Sequence, residues 1–335
     1  MSAAALHRLR RGTPAADSPA ASPGTPDAPA GGRVVCIMGP TASGKSELAE
    51  DVALALGGEV VSADSMQVYR GMDIGTAKLA PGSRRVPHHC IDVAEVGEAY
   101  SAALFQRDAR AAFADIWGRG GTPVLCGGTW LYIRAALEEM HFAAEGQSDA
   151  AAHGRWADFA CREGGRAAYD ELCRLDPASA NLIHPNNTRR VVRALEMHEA
   201  GESYAERKRR FREVRPWCES VKIALFVERD VLCARIDERV DAMFACGLAD
   251  EVAGLVEGGL RDAITASQAI GYKEVLSALD GECTLDEAAD AVKRATRRFA
   301  KRQMSWLRSD EQLTWLDATD GVDDALVSRA LELIG

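Results

Sequence analysis

The chain alternates short, continuous apolar runs with longer segments in which apolar positions recur every three or four residues. Arg33 to Met38 is a run with β-branched residues that stops at Gly39, which predicts a buried strand. The loop Gly39 to Ser46 leads into an Ala/Leu-rich segment, Glu47 to Leu56, which predicts a helix stopped by Gly57-Gly58. Glu59 to Ala63 predicts a second strand, ending on Asp64. A polar, Gly-containing loop and a helix near Ala102 to Trp117 precede a third apolar run, Pro123 to Cys126, which ends on Gly127-Gly128-Thr129 and enters another helix. Strand and helix alternating at this spacing predict βαβ units, hence a parallel sheet with crossover helices.

From about Met140 to Pro216 the alternation gives way to Ala-, Arg- and Glu-rich helical segments without a convincing strand, and Val221 to Val227 then predicts a strand returning to the sheet. The economical organisation is an α/β core over 33–139 and 216–335 that ends in helices, with an all-helical insertion over 140–215. Residues 1–32 hold nine Ala, five Pro, four Gly and three Ser with almost no large apolar side chains, and predict a disordered tail. Its Arg8, Arg10 and Arg11 suggest a transit peptide, but the prolines break any amphipathic helix and no apolar stretch follows. A length of 335 residues, at about 150 per domain, suits two units with a sizeable core. Strictly apolar runs reach only about five residues against the roughly twenty of a spanning helix, so no membrane partner is expected. The nine cysteines are scattered, odd in number and free of any C-x-x-C pair. That argues against a disulfide framework or a zinc site, and a reducing cytoplasmic compartment is expected.

Gly39-Pro40-Thr41-Ala42-Ser43-Gly44-Lys45-Ser46 fits G-x-x-x-x-G-K-[ST] between a predicted strand and a predicted helix, the context a phosphate-binding loop requires. Chance produces such a match in roughly one random chain in a hundred. The glycines let successive N–H groups converge on phosphate oxygens, the helix dipole favours the anion, Lys45 adds a point charge and Ser46 offers an oxygen to Mg²⁺. The loop reports a di- or triphosphate without naming its owner. A nucleotide hydrolase usually holds its metal with a carboxylate at the end of a further strand, but the third run here ends Leu125-Cys126-Gly127-Gly128-Thr129. Asp64 is then the strand-end acid nearest the loop. Because carboxyl ends of such strands face the ligand crevice, Asp64 and Thr129 should both line it. On these residues alone Asp64 is a general base, a metal ligand or a turn cap, and Thr129 a ligand contact or a helix cap.

Formal net charge is −10, which excludes a wholly basic polyanion binder. Locally the picture changes. Residues 291–308 hold Lys293, Arg294, Arg297, Arg298, Lys301, Arg302 and Arg308 with no acid. At helical spacing Lys293, Arg297 and Lys301 form one row and Arg294, Arg298 and Arg302 the next, with Val292, Ala295, Phe299 and Trp306 on the other side. Residues 189–215 add nine basic side chains, among them Arg189, Arg190 and Arg193, against five acids. Two such patches on an acidic chain read as a footprint for a nucleic-acid backbone. His88 and His89 are adjacent with no Cys or His at ligand spacing, so structural roles are expected. Two readings are open on these residues: a P-loop nucleoside or nucleotide kinase and a non-enzymatic RNA-binding module.

These residues together resemble one family, the tRNA dimethylallyltransferases or tRNA isopentenyltransferases. Beside the phosphate loop, the resemblance rests on Asp64-Ser65-Met66-Gln67-Val68-Tyr69, Met72-Asp73-Ile74-Gly75-Thr76-Ala77-Lys78, Pro87-His88-His89-Cys90-Ile91-Asp92 and Gly127-Gly128-Thr129-Trp130-Leu131-Tyr132. It continues through His184-Pro185-Asn186-Asn187, Arg190, Arg193-Ala194-Leu195-Glu196, Gln268-Ala269-Ile270-Gly271-Tyr272-Lys273 and Lys301-Arg302-Gln303-Met304-Ser305-Trp306-Leu307-Arg308. The match spans about 33–316 in the family's order and looks like the bacterial form, without the zinc finger of some eukaryotic members. One departure stands out: the family's proline-containing stretch and substrate-contacting arginine after Gly-Gly-Thr are absent from Met140 to His153, and that role is not carried over to Arg155, the next arginine. An isopentenyltransferase acting on free adenylate would share the active site but not the helical insertion.

The resemblance implies a P-loop NTPase-like α/β fold with a tRNA-contacting helical insertion, and transfer of a dimethylallyl group from dimethylallyl diphosphate to N6 of the adenosine just 3′ of the anticodon in tRNAs that read U-initial codons. It implies catalysis by Asp64, Thr129 and Lys45, diphosphate on Gly39 to Ser46, and Mg²⁺ on Ser46. Contacts to the tRNA anticodon stem-loop are implied for Asp64, Ser65, Met66, Gln67, Thr129, Arg189, Arg190, Arg193, Gln268, Gly271, Tyr272, Lys273, Lys301, Arg302, Gln303, Trp306 and Arg308. No protein partner is called for, and a monomer is expected.

Overall fold

A computed structural model describes residues 32–142, 150–211 and 213–335; the predicted tail lies outside them except for Gly32. Strands β1 (Arg33–Met38), β2 (Glu59–Ala63), β3 (His88–His89), β4 (Pro123–Gly127), β5 (Glu219–Phe226) and β6 (Thr314–Asp317) form one sheet in the order β3-β2-β4-β1-β5-β6. Every pairing is parallel. Helices α1 (Lys45–Ala55), α2 (Ala102–Gly118) and α3 (Trp130–Leu137) follow β1, β3 and β4. Between β4 and β5 run α4 (Ala150–Glu163), α5 (Gly165–Leu175), α6 (Pro177–Ala180), α7 (Thr188–Glu199) and α8 (Tyr204–Arg210). After β5 come α9 (Arg229–Ala245), α10 (Leu248–Glu257), α11 (Tyr272–Leu279) and α12 (Leu285–Leu307), and α13 (Asp324–Ile334) follows β6.

Alternation along β1 shows why the sheet is covered on both faces. Val34, Cys36 and Met38 enter a cluster with Phe105, Phe113 and Ile116 of α2 and Ile133 of α3. Val35 and Ile37 point the other way, against Leu48 and Val52 of α1, Leu232 and Ile236 of α9, and Leu326 and Ile334 of α13. A strand buried on both faces needs no polar alternation, which is why the sequence reads as a continuous apolar run. Each of these buried side chains contributes about 1.5–3 kcal/mol.

Helices α4 to α8 have an apolar cluster of their own, built on Leu172, Val191 and Leu195. The chain leaves for them and returns at adjacent points, where Trp217 N donates to Leu137 O at 2.8 Å and Glu139 N donates to Arg215 O at 2.8 Å. Among the described residues these helical segments contain no strand.

Three details differ from the sequence reading. Helix α1 starts at Lys45 rather than Glu47, because the last residues of the phosphate loop already form its first turn. Strands β3 and β6 were not foreseen: one is two residues long, and the other, at the sheet edge, buries only Leu316. Trp306 does not share the packing face of α12; that face runs through Val292, Ala295, Ala300, Gln303 and Leu307, and Trp306 is half exposed.

Candidate active site

Register brings the chemistry to one edge. Met38 pairs with Gly127, and Gly127 pairs with Ala63. Three strands therefore end level, and the loops leaving from Gly39, Asp64 and Gly128 open on the same crevice. In the first loop Ala42 and Gly44 take left-handed φ values of 63° and 87°. Left-handed residues interleaved with right-handed ones turn successive N–H groups toward one point, an anion nest, at the positive end of α1. Ser43 is 1% exposed and, among the described residues, its hydroxyl has no hydrogen-bond partner. An unsatisfied buried hydroxyl costs about 1–3 kcal/mol, so a bound oxyanion that accepts from it recovers that cost.

A long-range clamp fixes this loop. Gln303 of α12 accepts from Thr41 N at 2.9 Å and donates through Nε2 to Gly128 O at 3.1 Å, joining the phosphate loop to the turn after β4. A Cβ at position 128 would fall 2.1 Å from that Nε2, which is why Gly128 has no side chain. Lys45 Nζ donates to Pro40 O at 3.2 Å. Burial pulls the Lys45 pKa below the usual lysine range, with Arg239 pushing the same way and Cys126 and Asp64 opposing.

The opposite wall is polar and internally braced. Asp64 Oδ1 accepts from Met66 N at 2.9 Å and Gln67 N at 3.4 Å, so the carboxylate does cap its own turn, while Oδ2 has no protein partner among the described residues. Thr129 stands at the start of α3 without capping it; its hydroxyl accepts from Ser65 N at 3.1 Å, tying the turn after β4 to the turn after β2. Ser62 Oγ donates to Gln67 Oε1 at 2.8 Å, and Gln67 Nε2 donates to Thr76 O at 3.2 Å. Lys45, Ser46, Asp64, Gln67, Thr76 and Arg239 line a single cavity. Arg239 of α9 is absent from the residues picked out by sequence. Burial lowers its pKa and Asp64 raises it, which sets a second cation opposite that carboxylate. Its one signal is an arginine immediately beside the apolar stripe Leu232, Ile236 and Val240.

His88 Nε2 lies 3.0 Å from Glu50 Oε1 and His89 Nε2 lies 2.6 Å from Glu59 Oε2, and His88 also borders the cavity. Among the described residues no group of three or more His, Cys, Asp or Glu side chains is placed to cage a metal. Ser46 and Asp64 nevertheless face one cavity beside the anion nest. The Ser46 hydroxyl suits Mg²⁺, which keeps several waters and takes the rest of its oxygens from the phosphates it neutralises.

Similarity to known proteins decides which family builds such a cleft. A family model described as IPP transferase matches residues 67–310, and one described as isopentenyl transferase matches 32–83. A tRNA dimethylallyltransferase of Kineococcus radiotolerans is 46% identical over 320 residues, 93% of this chain and 98% of its own length. The chain belongs to the tRNA dimethylallyltransferase family. The full-length tRNA isopentenylpyrophosphate transferase of Bacillus halodurans, a crystal structure, superposes on this dimethylallyltransferase-family chain with a TM-score of 0.67 at 42% identity, covering 90% of this chain and 95% of that one. A eukaryotic dimethylallyltransferase, solved acting on tRNA, gives a TM-score of 0.72 at 30% identity, covering 86% of this chain and 74% of that one.

Within this family member, the residues expected to meet tRNA separate into surface and interior. Gln268, Lys273, Lys301, Arg302 and Arg308 are exposed, as are Arg189 and Arg190 at the start of α7. Gly271, Tyr272 and Gln303 are buried: Tyr272 donates to Glu251 Oε1 at 2.6 Å, and Gln303 clamps the phosphate loop to Gly128. Met66 packs partly against the core. The first cationic row of α12 is also less free than its spacing implied. Lys293 pairs with Asp241 at 2.5 Å, and Arg297 pairs with Asp237 of α9. In the other patch Arg193 pairs with Glu196 at 2.8 Å, and Arg210 with Glu202. Arg155 sits on α4 in an ion pair with Glu199.

Proposed function

We propose that this chain transfers a dimethylallyl group from dimethylallyl diphosphate to the exocyclic N6 of an adenosine beside the anticodon of tRNA. The single observation that carries the reading is the level ending of β1, β2 and β4, which puts a phosphate nest and a carboxylate on opposite walls of one cavity. The nest and Lys45 bind the diphosphate, and Thr129 ties the turn after β4 to the turn after β2 on the acceptor wall. As the C1–O bond breaks, its electron pair goes to the diphosphate, and charge growing there meets groups already oriented for it. Ser46 would hold Mg²⁺, whose charge adds to the stabilisation of the leaving group.

An aromatic N6 amine is a weak nucleophile and needs a base within reach. Asp64 Oδ2 supplies it: N6 bonds to C1 and its proton passes to the carboxylate. Oδ1 stays engaged with Met66 and Gln67 N–H, which keeps the carboxylate aimed. A stacked anticodon-loop adenine must leave its stack to arrive here, in the cavity that Gln67 lines. The exposed cations of α12 and α7 suit the phosphates on either side. A kinase has no use for those cations, and an enzyme of free adenylate has none for the helical segments between β4 and β5.

The deciding experiment incubates the protein with Mg²⁺, dimethylallyl diphosphate and either unmodified tRNA or AMP, then analyses nucleosides by mass spectrometry. Prenylated adenosine from tRNA alone is expected. Product from AMP alone would move the chain to the free-nucleotide reaction, and phosphoryl transfer from ATP would move it to the kinases.

A further inference from the structure

We infer that Glu251, on α10 and outside the cavity, is a positioning residue that fixes the acceptor wall of the active site by receiving the backbone of the loop that forms it. This rests on the proposed acceptor reading and adds the part that keeps the wall in place. Glu251 Oε2 accepts from Asp73 N at 3.0 Å and Ile74 N at 2.7 Å, and Oε1 accepts from Gly75 N at 3.2 Å. The fourth donor is Tyr272 OH, at 2.6 Å from Oε1. Tyr272 is fully buried, and a Cβ at Gly75 would sit 2.5 Å from its ring, so this segment must be glycine for the phenol to reach the carboxylate.

From that anchor the order passes inward in defined steps. Thr76 Oγ1 donates to Met72 O at 2.6 Å and closes the loop on itself. Lys78, nearly buried, ties its far end to Tyr69 O at 2.9 Å and Asp92 Oδ1 at 2.6 Å. Thr76 and Ala77 line the cavity, Thr76 O receives the Gln67 side-chain amide, and the Gln67 backbone N–H reaches Asp64 Oδ1 at 3.4 Å. A carboxylate facing three consecutive N–H groups is held by charge as well as by hydrogen bonds. An amide of the same size offers one oxygen and turns an NH₂ toward donors, so it cannot replace the carboxylate.

Glu251→Gln, Glu251→Asp and Tyr272→Phe test this. Amide hydrogen exchange, which needs no substrate, should quicken at least tenfold at Asp73, Ile74 and Gly75 in Glu251→Gln while β1 and α1 keep their protection. Single-turnover prenyl transfer to tRNA should fall about 10- to 100-fold, the scale of a misplacement near 1 Å, with dimethylallyl diphosphate affinity within about twofold of wild type. Glu251→Asp, which keeps the charge, should restore part of both signals, and Tyr272→Phe, which leaves the three N–H bonds, should keep the exchange protection. Unchanged exchange in Glu251→Gln, or a rate loss matched by an equal loss of diphosphate affinity, would overturn the inference. Absence of transfer by the wild type counts instead against the proposed reaction, since exchange decides the anchor without it.

Discussion

The phosphate wall of the cleft is one stretch, Gly39 to Ser46, between a strand and the helix that follows it, whereas the acceptor wall gathers Ser62 to Gln67, Thr76, Thr129 and Arg239, braced by Glu251 and Tyr272. The first wall takes its shape locally, from left-handed backbone at Ala42 and Gly44 and from the dipole of the next helix, with the Gln303 clamp added from α12. The second exists only when the sheet has formed and α9, α10 and α11 have packed. A local wall binds whatever bears a diphosphate. The assembled wall chooses the acceptor, and damage to it should slow transfer without loosening the donor.

The largest break in that pairing is expected at Asp64. Asp64→Asn keeps shape and hydrogen bonds but accepts no proton, so turnover should fall by about 10² to 10⁴ with diphosphate affinity unchanged. In a Mg²⁺ titration the defect should persist at every concentration; recovery at high Mg²⁺ would make Asp64 a metal ligand. On the other wall, Lys45→Ala should cost about 3–4 kcal/mol of transition-state stabilisation and weaken diphosphate binding too. Near-wild-type single-turnover rates would remove Lys45 from the leaving-group site. Gln303→Leu cuts the bonds from α12 to Thr41 and Gly128, and unsatisfied buried groups of this kind cost about 1–3 kcal/mol each. A lower melting temperature and weaker diphosphate binding are expected, because the clamp serves the phosphate wall. Smallest is the surface effect: Lys301→Gln with Arg302→Gln should reduce the salt slope of tRNA binding by about 0.7–0.9 per lost phosphate contact. Arg297→Gln should change that slope less, since Asp237 already holds the guanidinium.

Legibility in the sequence followed the same division. Strands β1 and β2 were readable to the residue because both faces are buried, and a short continuous apolar run between turn residues fits a covered strand. The phosphate loop, Asp64 and Thr129 were readable because strand ends carry them. Strand β6 was not, since an edge strand with three of four residues exposed has no apolar run to show. Tyr272 and Gln303 were recognised by motif, and the structure buries both, because a motif records that a residue matters and not which way its helix turns. Arg239 and Glu251 escaped altogether: each is an ordinary charge on an amphipathic helix until long-range packing brings it to the cleft or to the loop beside it.

The claim that the two walls meet at an exocyclic amine is most directly tested with two anticodon stem-loops, identical except that the target adenosine of one is replaced by purine riboside, which lacks N6. Single-turnover reaction with dimethylallyl diphosphate and Mg²⁺ should prenylate the adenosine stem-loop alone, while both stem-loops bind with comparable affinity. Prenylation of the purine riboside stem-loop at a similar rate would contradict the account, because the nucleophile would then be a ring atom that needs no deprotonation by Asp64.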